Sequence, residues 1–171
     1  TLLQLEISNQ ANNLQPIDVE QMLVELQLVA RKLSNKQNKQ QMIVIDSGSS
    51  AWLIGNEQEV FSAFSNLVYN AVKYTGATGT ISLCWRIDDT GGHFTVSDTG
   101  IGIAEHHLSR LTERFYRVDQ SRARSSGSTG LGLAIVKHVL KRHHAHLNIR
   151  SVPDQGSTFI CHFPLQNITE V

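Results

Sequence analysis

The chain has 171 residues, of which 40% are hydrophobic and 18% charged, as is ordinary for a globular domain with a real core. Fifteen basic side chains (Lys+Arg 15) balance the acidic ones (Asp+Glu 15), which excludes the basic footprint typical of nucleic-acid or anionic-membrane binding. The longest apolar runs, such as LAIV at 133–136, are far shorter than a membrane span, and no basic signal-peptide start is present. We therefore expect a cytoplasmic domain, and the start at Thr1 favours a piece of a longer protein.

The N-terminal part predicts helices that alternate with short strands. Residues 1–14 have the pattern of the end of an amphipathic helix, which Pro16 would break. Asp18 is placed to cap a second helix over about 19–35, whose apolar residues recur at helical spacing. Two short extended segments follow, MIVID (42–46) and AWLIG (51–55).

The central part predicts a long helix and a hairpin. Asn56 is expected to cap a helix that runs to about residue 75, where TGATG ends it. The segments 80–88 and 93–98 predict two strands joined by the turn DTGG.

The C-terminal part predicts short helical turns over 107–118, a polar mobile loop over 119–130, and then a helix over GLGLAIVKHVLKRHH. The segments LNIRSV and STFICHFPL predict two closing strands around PDQG. This order of elements predicts an α+β sandwich in which helices pack on one face of a mixed sheet.

Cysteine and histidine give no sign of a metal centre. Cys84 and Cys161 lie in apolar strand-like runs and are expected to be buried free thiols. The eight histidines, among them His143, His144 and His146, have no cysteine or acidic partner at ligand spacing. We expect these three to be solvated residues at a helix end.

The helix over 56–75 carries two stripes. Phe61, Phe64, Val68 and Val72 form an apolar one, while Asn66, Asn70 and Lys73 recur at i, i+4 and i+7 on another. Two amide oxygens and an ammonium suit Mg²⁺ and a phosphate. A polar face that simply meets water explains the same stripe equally well.

The motif DTGIGI (98–103) places a carboxylate, Asp98, before a turn in which Gly100 and Gly102 let the backbone approach a ligand. Such a carboxylate can accept a hydrogen bond from an exocyclic amine, although a plain turn is also consistent. An aspartic protease needs a second copy of Asp-Thr-Gly, which is absent. A dinucleotide fingerprint needs glycine where Glu105 stands.

In the motif SGSTGLGLAIVK (126–137), glycines stand directly before a predicted helix. Free N–H groups at a helix start, approached closely through glycine, can cradle a phosphate. The absence of Gly-Lys-Ser/Thr excludes a Walker A loop. Arg117, Arg122 and Arg124 precede the motif, and arginines can meet charge on a phosphoryl group.

Taken together, NxxxNAxKYT, DTGIGI, ERFYRVD and GSTGLGLAIVKH resemble the N, G1, F and G2 boxes of sensor histidine kinases (HATPase_c domains of the GHKL class), and the late GSTF turn also fits. The resemblance covers about residues 15–165. It implies the Bergerat fold, a two-layer α/β sandwich with a mobile ATP lid, shared with gyrase, Hsp90 and MutL. Within the family, LTERFYRVD with GLGLAIVKH resembles the phosphate-regulon sensor kinases.

The resemblance also implies roles for single residues. Asn70 would bind Mg²⁺, Asp98 would hold the adenine amine, and Arg117 would approach the γ-phosphate. The implied catalytic residues are Asn66, Lys73 and Arg117. The implied ATP-binding residues are Asn66, Asn70, Lys73, Tyr74, Asp98, Gly100, Gly102, Ile103, Arg117, Gly127, Thr129, Gly130, Leu131, Gly132 and Leu133.

The implied organisation is a dimerisation-helix tail or linker (1–14), a catalytic ATP-binding domain (15–167) and a C-terminal tail (168–171). No histidine of this chain precedes an acidic residue, as the acceptor histidine of the family does. The implied partners are therefore a histidine-bearing hairpin of the same kinase, outside this chain, and a phosphate-regulon response regulator. The full protein would be a membrane-anchored homodimer at the inner membrane and this chain a monomer.

Two other functions remain open from the sequence. One is an ATPase-driven conformational machine of the gyrase or Hsp90 type, although such relatives place a glutamate base where this chain has Asn66. The other is a nucleotide-binding module without transfer activity.

Overall fold

The computed structural model describes residues 13–108 and 132–170. The predictions for 1–12 and 109–131, which include the mobile lid, lie outside the described residues. The described elements are β1 (Gln15–Ile17), α1 (Val19–Lys36), β2 (Met42–Ser47), β3 (Trp52–Gly55), α2 (Glu57–Tyr74), β4 (Thr80–Asp88), β5 (Gly91–Asp98), α3 (Glu105–Leu108), α4 (Gly132–Arg142), β6 (His146–Val152), β7 (Gly156–Pro164), a 3₁₀ turn (Leu165–Asn167) and β8 (Ile168–Thr169). None of these helices is long and apolar enough to cross a membrane.

A mixed five-stranded sheet forms one layer, in the order β2-β4-β5-β7-β6. Strand β2 runs parallel to β4, and the other neighbouring pairs are antiparallel. Alternate side chains of the central strands are buried, because one face of the sheet meets the helices. This core-facing set includes Ile81, Leu83, Trp85, Phe94, Val96, Phe159, Cys161 and Phe163. The predicted α+β sandwich is confirmed.

The helix starts follow the local sequence signals. The side chain of Asp18 accepts a hydrogen bond from the amide of Gln21 at 3.2 Å, and Asn56 accepts one from the amide of Glu59 at 3.1 Å. Each cap satisfies one of the amides that the first turn of a helix leaves without a partner. The predicted long helix over 56–75 is therefore confirmed.

A second, three-stranded sheet has the order β1-β3-β8 and was not predicted. We expected Pro16 only to end a helix and residues 168–171 to form a tail, but Pro16 lies within β1 and Ile168–Thr169 forms β8. Strands of three and two residues are too short to show alternation in the sequence. Pro16 is tolerated because β1 is an edge strand.

The two cysteines are free thiols on different strands. Cys161 is buried, and burial raises the pKa of its thiol. Cys84 is only partly buried, because it lies on the face of β4 opposite the core-facing residues.

His143 is buried, with 3% of its surface exposed, so the prediction of a solvated side chain is wrong for this residue. Its Nε2 accepts a hydrogen bond from the backbone N–H of Asn56 at 3.0 Å, while Nδ1 donates to the carbonyl of Val139 at 2.7 Å. Because Nε2 must be an acceptor there, this geometry requires the neutral ring. The sequence could not show that the end of α4 meets the start of α2. His144 and His146 are exposed, as expected.

Both ends of α2 are held by other segments. At the start, Glu59 forms an ion pair with Arg142, with Oε1 and Nε 2.7 Å apart. At the end, the ammonium of Lys39 donates to the carbonyls of Val72 (2.9 Å), Lys73 (3.1 Å) and Thr75 (2.9 Å). A cation is favourable there because a helix C-terminus carries partial negative charge.

We expect Lys39→Met to lower the free energy of unfolding by about 1–2 kcal/mol, because it removes a charged donor from the last carbonyls of α2. The amide of Gln41 still donates to Val72 and Thr75, which limits the loss. Urea unfolding followed by circular dichroism measures the change.

The matched control is Lys36→Met, in the exposed last turn of α1, for which we expect a change within about 0.5 kcal/mol. Equal unfolding free energies for the two variants would contradict the assigned role of Lys39.

Candidate functional site

The polar stripe of α2 is only partly exposed. Asn66, Asn70 and Lys73 are each half-buried, whereas a stripe that simply faced water would be open. The neighbouring side chains Phe64, Val68 and Val72 are fully buried on the core face. The stripe therefore lies at the border of the core.

Asn66 is oriented by its own helix. Its Nδ2 donates to the carbonyl of Ser62 at 2.8 Å, so the amide oxygen points away from that carbonyl. A Cβ placed on Gly132 would lie 3.1 Å from this oxygen, Oδ1 of Asn66. The first residue of α4 thus lies directly against the polar stripe, although 66 positions separate the two residues in the sequence.

The start of α4 contributes backbone donors at this place. The first N–H groups of a helix have no partner within the helix, and the N-terminus carries partial positive charge. Gly132 lets this end approach Asn66 without a side chain between them, and Leu133 packs against the core. Gly132, the first described residue of the predicted phosphate cradle, thus lies beside the predicted metal-binding stripe.

The other end of the stripe contacts the turn after β5. The ammonium of Lys73 lies 5.2 Å from the ring centroid of Tyr74, within the range of a cation–π contact. The carbonyl of Tyr74 accepts a hydrogen bond from the amide of Ile101 at 3.3 Å. The C-terminus of α2 is therefore joined to the DTGIGI turn.

Asp98 ends β5 with one carboxylate oxygen occupied. Oδ1 accepts from the amide of Gly100 at 2.9 Å and from the amide of Ser157 at 3.3 Å. Burial raises the pKa of this carboxyl, and the two amide donors oppose that shift. No hydrogen bond to Oδ2 is found within residues 13–108 and 132–170. The second oxygen is thus the acceptor that the side chain offers to a ligand.

Two glycines make this turn possible. A Cβ on Gly100 would lie 2.4 Å from the carbonyl oxygen of Tyr74, and a Cβ on Gly102 would lie 2.1 Å from that of Val152. Gly102 also has a φ of 69°, which side-chain-bearing residues rarely adopt. Both positions require glycine because backbone lies against backbone there, which differs from the predicted reason, the approach of the backbone to a ligand.

The turn is fastened to β6 and β7 by residues that the sequence analysis did not assign. The amide of Ile103 donates to Oγ of Ser151 at 2.7 Å, and the amide of Asp154 donates to the carbonyl of Ile101 at 2.7 Å. The only signal was the GSTF turn, noted as part of the resemblance. Lone serines in a polar segment such as RSVPDQGS carry no pattern that points to a site.

The described residues therefore bring together Asn66, Asn70, Lys73, Tyr74, Asp98, Gly100, Gly102, Ile103, Gly132 and Leu133, around α2 and the turn after β5. The remaining predicted site residues, Arg117, Gly127, Thr129, Gly130 and Leu131, lie outside the described residues.

Comparison with known proteins gives one family. Residues 55–167 match the family model described as histidine kinase-, DNA gyrase B-, and HSP90-like ATPase. The chain is 50% identical to the phosphate regulon sensor protein PhoR of Pseudomonas aeruginosa over 169 residues, which is 99% of this chain and 38% of that protein. The chain thus spans less than half the length of this curated relative.

Solved structures give the same fold. The structure of full-length ShkA in complex with AMPPNP has a TM-score of 0.76 and 25% identity, covering 89% of this chain and 31% of that one. The catalytic domain of the histidine kinase ThkA in a nucleotide-free form has a TM-score of 0.76 and 19% identity, covering 90% of this chain and 96% of that one. With more than half of its residues matched by the family model, the chain belongs to the histidine kinase-, DNA gyrase B- and HSP90-like ATPases.

Proposed function

We propose that the chain is the ATP-binding catalytic domain of a two-component sensor histidine kinase. It transfers the γ-phosphoryl group of ATP to a histidine on a helical hairpin outside this chain. The observation that carries the proposal is the placement of α2. Asn66 contacts Gly132 at one end of its polar stripe, and Tyr74 contacts the Asp98 turn at the other.

Adenine recognition rests on the fixed orientation of Asp98. Because two backbone amides hold Oδ1, only Oδ2 can accept a hydrogen bond from the exocyclic amine. The half-buried position strengthens this bond, since it lies in a medium of lower dielectric than water. A base with a carbonyl in place of that amine would meet a second acceptor and be rejected.

Phosphate binding rests on the start of α4 and on Lys73. Along α2, Asn70 lies between Asn66, which contacts Gly132 at the start of α4, and Lys73. The N–H groups of a helix start and an ammonium are both donors that suit phosphate oxygens. Catalysis of phosphoryl transfer consists mainly of such positioning and of charge neutralisation, for which we also assign Arg117.

The amide oxygens of Asn66 and Asn70 fit a Mg²⁺ ion. Mg²⁺ takes oxygen ligands and is commonly held by one or two protein groups together with phosphates and water. We assign Asn70 as the protein ligand and Asn66 as its neighbour near the phosphates. The ion would neutralise phosphate charge when bound.

Transfer to a partner is favoured over hydrolysis. A carboxamide cannot take a proton from water, and Nδ2 of Asn66 is already bonded to the carbonyl of Ser62. In the described part of the site, the position of Asn66 therefore provides no base that could activate a water molecule for hydrolysis of ATP. We therefore assign the role of acceptor to a nucleophile that another domain supplies.

The likeness to PhoR supports a place for the whole protein in phosphate-starvation signalling. The proposed partners are the histidine-bearing hairpin of the same kinase and a response regulator of the phosphate-regulon type. The proposed whole protein is a membrane-anchored homodimer whose kinase domain faces the cytoplasm.

The function is tested by mixing the chain with Mg²⁺, γ-labelled ATP and a separately produced hairpin fragment of a phosphate-regulon sensor kinase. We expect label on the hairpin and none on this chain, because no histidine here has the sequence context of an acceptor. A hairpin with its acceptor histidine replaced by alanine is the control. Steady phosphate release without labelled hairpin would show an ATPase, and tight ATP binding with neither would show a binding module.

We expect Asp98→Asn to weaken ATP binding by at least about a hundredfold. The two amides that hold Oδ1 require the oxygen of the carboxamide in that place, so its NH₂ group would face the adenine amine, donor against donor. Isothermal titration calorimetry measures the affinity. The control is Asp154→Asn, on an exposed residue with a φ of 65° that asparagine accepts. Normal affinity in the Asp98 variant would refute the adenine assignment.

We expect Asn70→Ala to remove most of the Mg²⁺-dependent part of ATP binding, by about tenfold or more, because the variant lacks the ligand oxygen. Titrations with ATP in Mg²⁺ and in EDTA separate this part from the rest. Asn35→Ala, at an exposed position of α1, makes the same chemical change away from the site. An unchanged ratio of the two affinities would exclude the metal role.

A further inference from the structure

Ser151, in the edge strand β6, joins three segments around the adenine side of the site. Its Oγ accepts the amide of Ile103 at 2.7 Å, lies 2.8 Å from Oγ of Ser157, and lies 3.0 Å from the carbonyl oxygen of Gly156. The side chain is half-buried. Nothing in the sequence pattern assigns it a function.

The three strands place Ser151 in register with the base-binding carboxylate. Asp98 of β5 is paired with Ser157 of β7, and Ser157 is paired with Ser151 of β6. The amide of Ser157 donates to Oδ1 of Asp98. The turn that follows Asp98 is itself bonded to Ser151, because the amide of Ile103 donates to Oγ of Ser151. Asp98, the turn, Ser151 and Ser157 therefore form a closed ring of covalent and hydrogen-bonded links.

The hydroxyl proton of Ser151 has two possible acceptors, and in both cases the oxygen still receives the amide of Ile103. If Ser151 donates to the carbonyl of Gly156, it can accept the proton of Ser157 as well. If it donates to Ser157, it accepts only from Ile103. The hydroxyl group of serine can take part in all of these hydrogen bonds, and the methyl group of alanine can form none of them.

Ile103 joins the turn to β6 shortly before α3 begins. Closer to Asp98, the turn is held by the amide of Gly100 and by the backbone bonds of Ile101 with Tyr74 and Asp154. Removal of the Ser151 oxygen would leave the half-buried amide of Ile103 without its partner and free the far end of the turn.

We propose that Ser151 is a positioning residue for the adenine-binding turn. It holds Ile103 so that Asp98, Gly100 and Gly102 keep the geometry that accepts the base. This inference rests on the proposed function, because it assigns to Ser151 a role in ATP binding by that same site. Among the described residues, the hydrogen bonds of Ser151 go to Ile103, Gly156 and Ser157 and not to the stripe of α2 or Gly132, so we expect its effect to be confined to binding of the base.

The test compares Ser151→Ala with Ser151→Thr, which keeps the hydroxyl. We expect Ser151→Ala to raise the Kd for Mg²⁺-ATP about tenfold, which is about 1.4 kcal/mol, and Ser151→Thr to restore most of the affinity. In the transfer assay, KM for ATP should rise with kcat unchanged, since base binding contributes equally to ground and transition states. Hydrogen exchange of residues 99–103 should be faster in the alanine variant than in the threonine variant.

The matched control is Ser97→Ala, which removes a hydroxyl contact of 3.2 Å to Thr158 between β5 and β7 on the opposite face of the sheet. Equal losses of affinity in Ser151→Ala and Ser97→Ala would reduce Ser151 to a structural role and overturn the inference. Wild-type affinity in Ser151→Ala would also overturn it while leaving the proposed function intact. If the wild-type chain itself binds no ATP, both the proposed function and this inference fail.

Discussion

The position of α2 is the constraint on which the site depends. At its start, the helix is held by His143, whose ring accepts the amide of Asn56, and by the ion pair of Glu59 with Arg142. At its end, it is held by the ammonium of Lys39. Contacts at both ends and burial along one side restrict the rotation of this helix about its axis. The side-chain amides of its polar stripe are therefore held in one direction, which is the preorganisation that the proposed positioning of phosphate needs.

The polar groups of the site are placed at the edge of the core rather than in open water. Asp98 remains half-buried because two backbone amides compensate part of the cost of burying its charge, although its pKa is still raised. The glycines of the turn also keep it at the edge of the core, because without side chains they allow its backbone to lie against Tyr74 and Val152. Stability and binding thus rely on the same contacts here.

The sequence was sufficient where a feature depends on neighbours along the chain. The caps at Asp18 and Asn56, the strand β4 beside its hairpin turn and the two stripes of α2 are local patterns, and each was predicted from residues close together in the sequence. The site stripe was ambiguous in the sequence, because spacing cannot show whether a polar face meets water or another segment.

Features that depend on distant segments could not be predicted in this way. The burial of His143 follows from a bond to Asn56, 87 positions away, and β1 and β8 exist only because β3 lies between them. Ser151 belongs to the same class, since its importance comes from register across β5, β7 and β6. The resemblance to a family led to the proposed site, but these supporting contacts are visible only in the structure.

The bond between Ser157 and Asp98 has a consequence for the synthesis of the protein. The carboxylate and its second amide donor are 59 positions apart, and the polar stripe of α2 reaches the start of α4 only after another long stretch of chain. Contacts of such separation form late, because a long loop must first be closed. A ribosome-bound chain that ended before β7 would hold most of the motifs yet lack the amide of Ser157 that holds Asp98. Nucleotide at the proposed site can thus help to stabilise this domain only once nearly all of it has been made, and the early folding steps depend on the core alone.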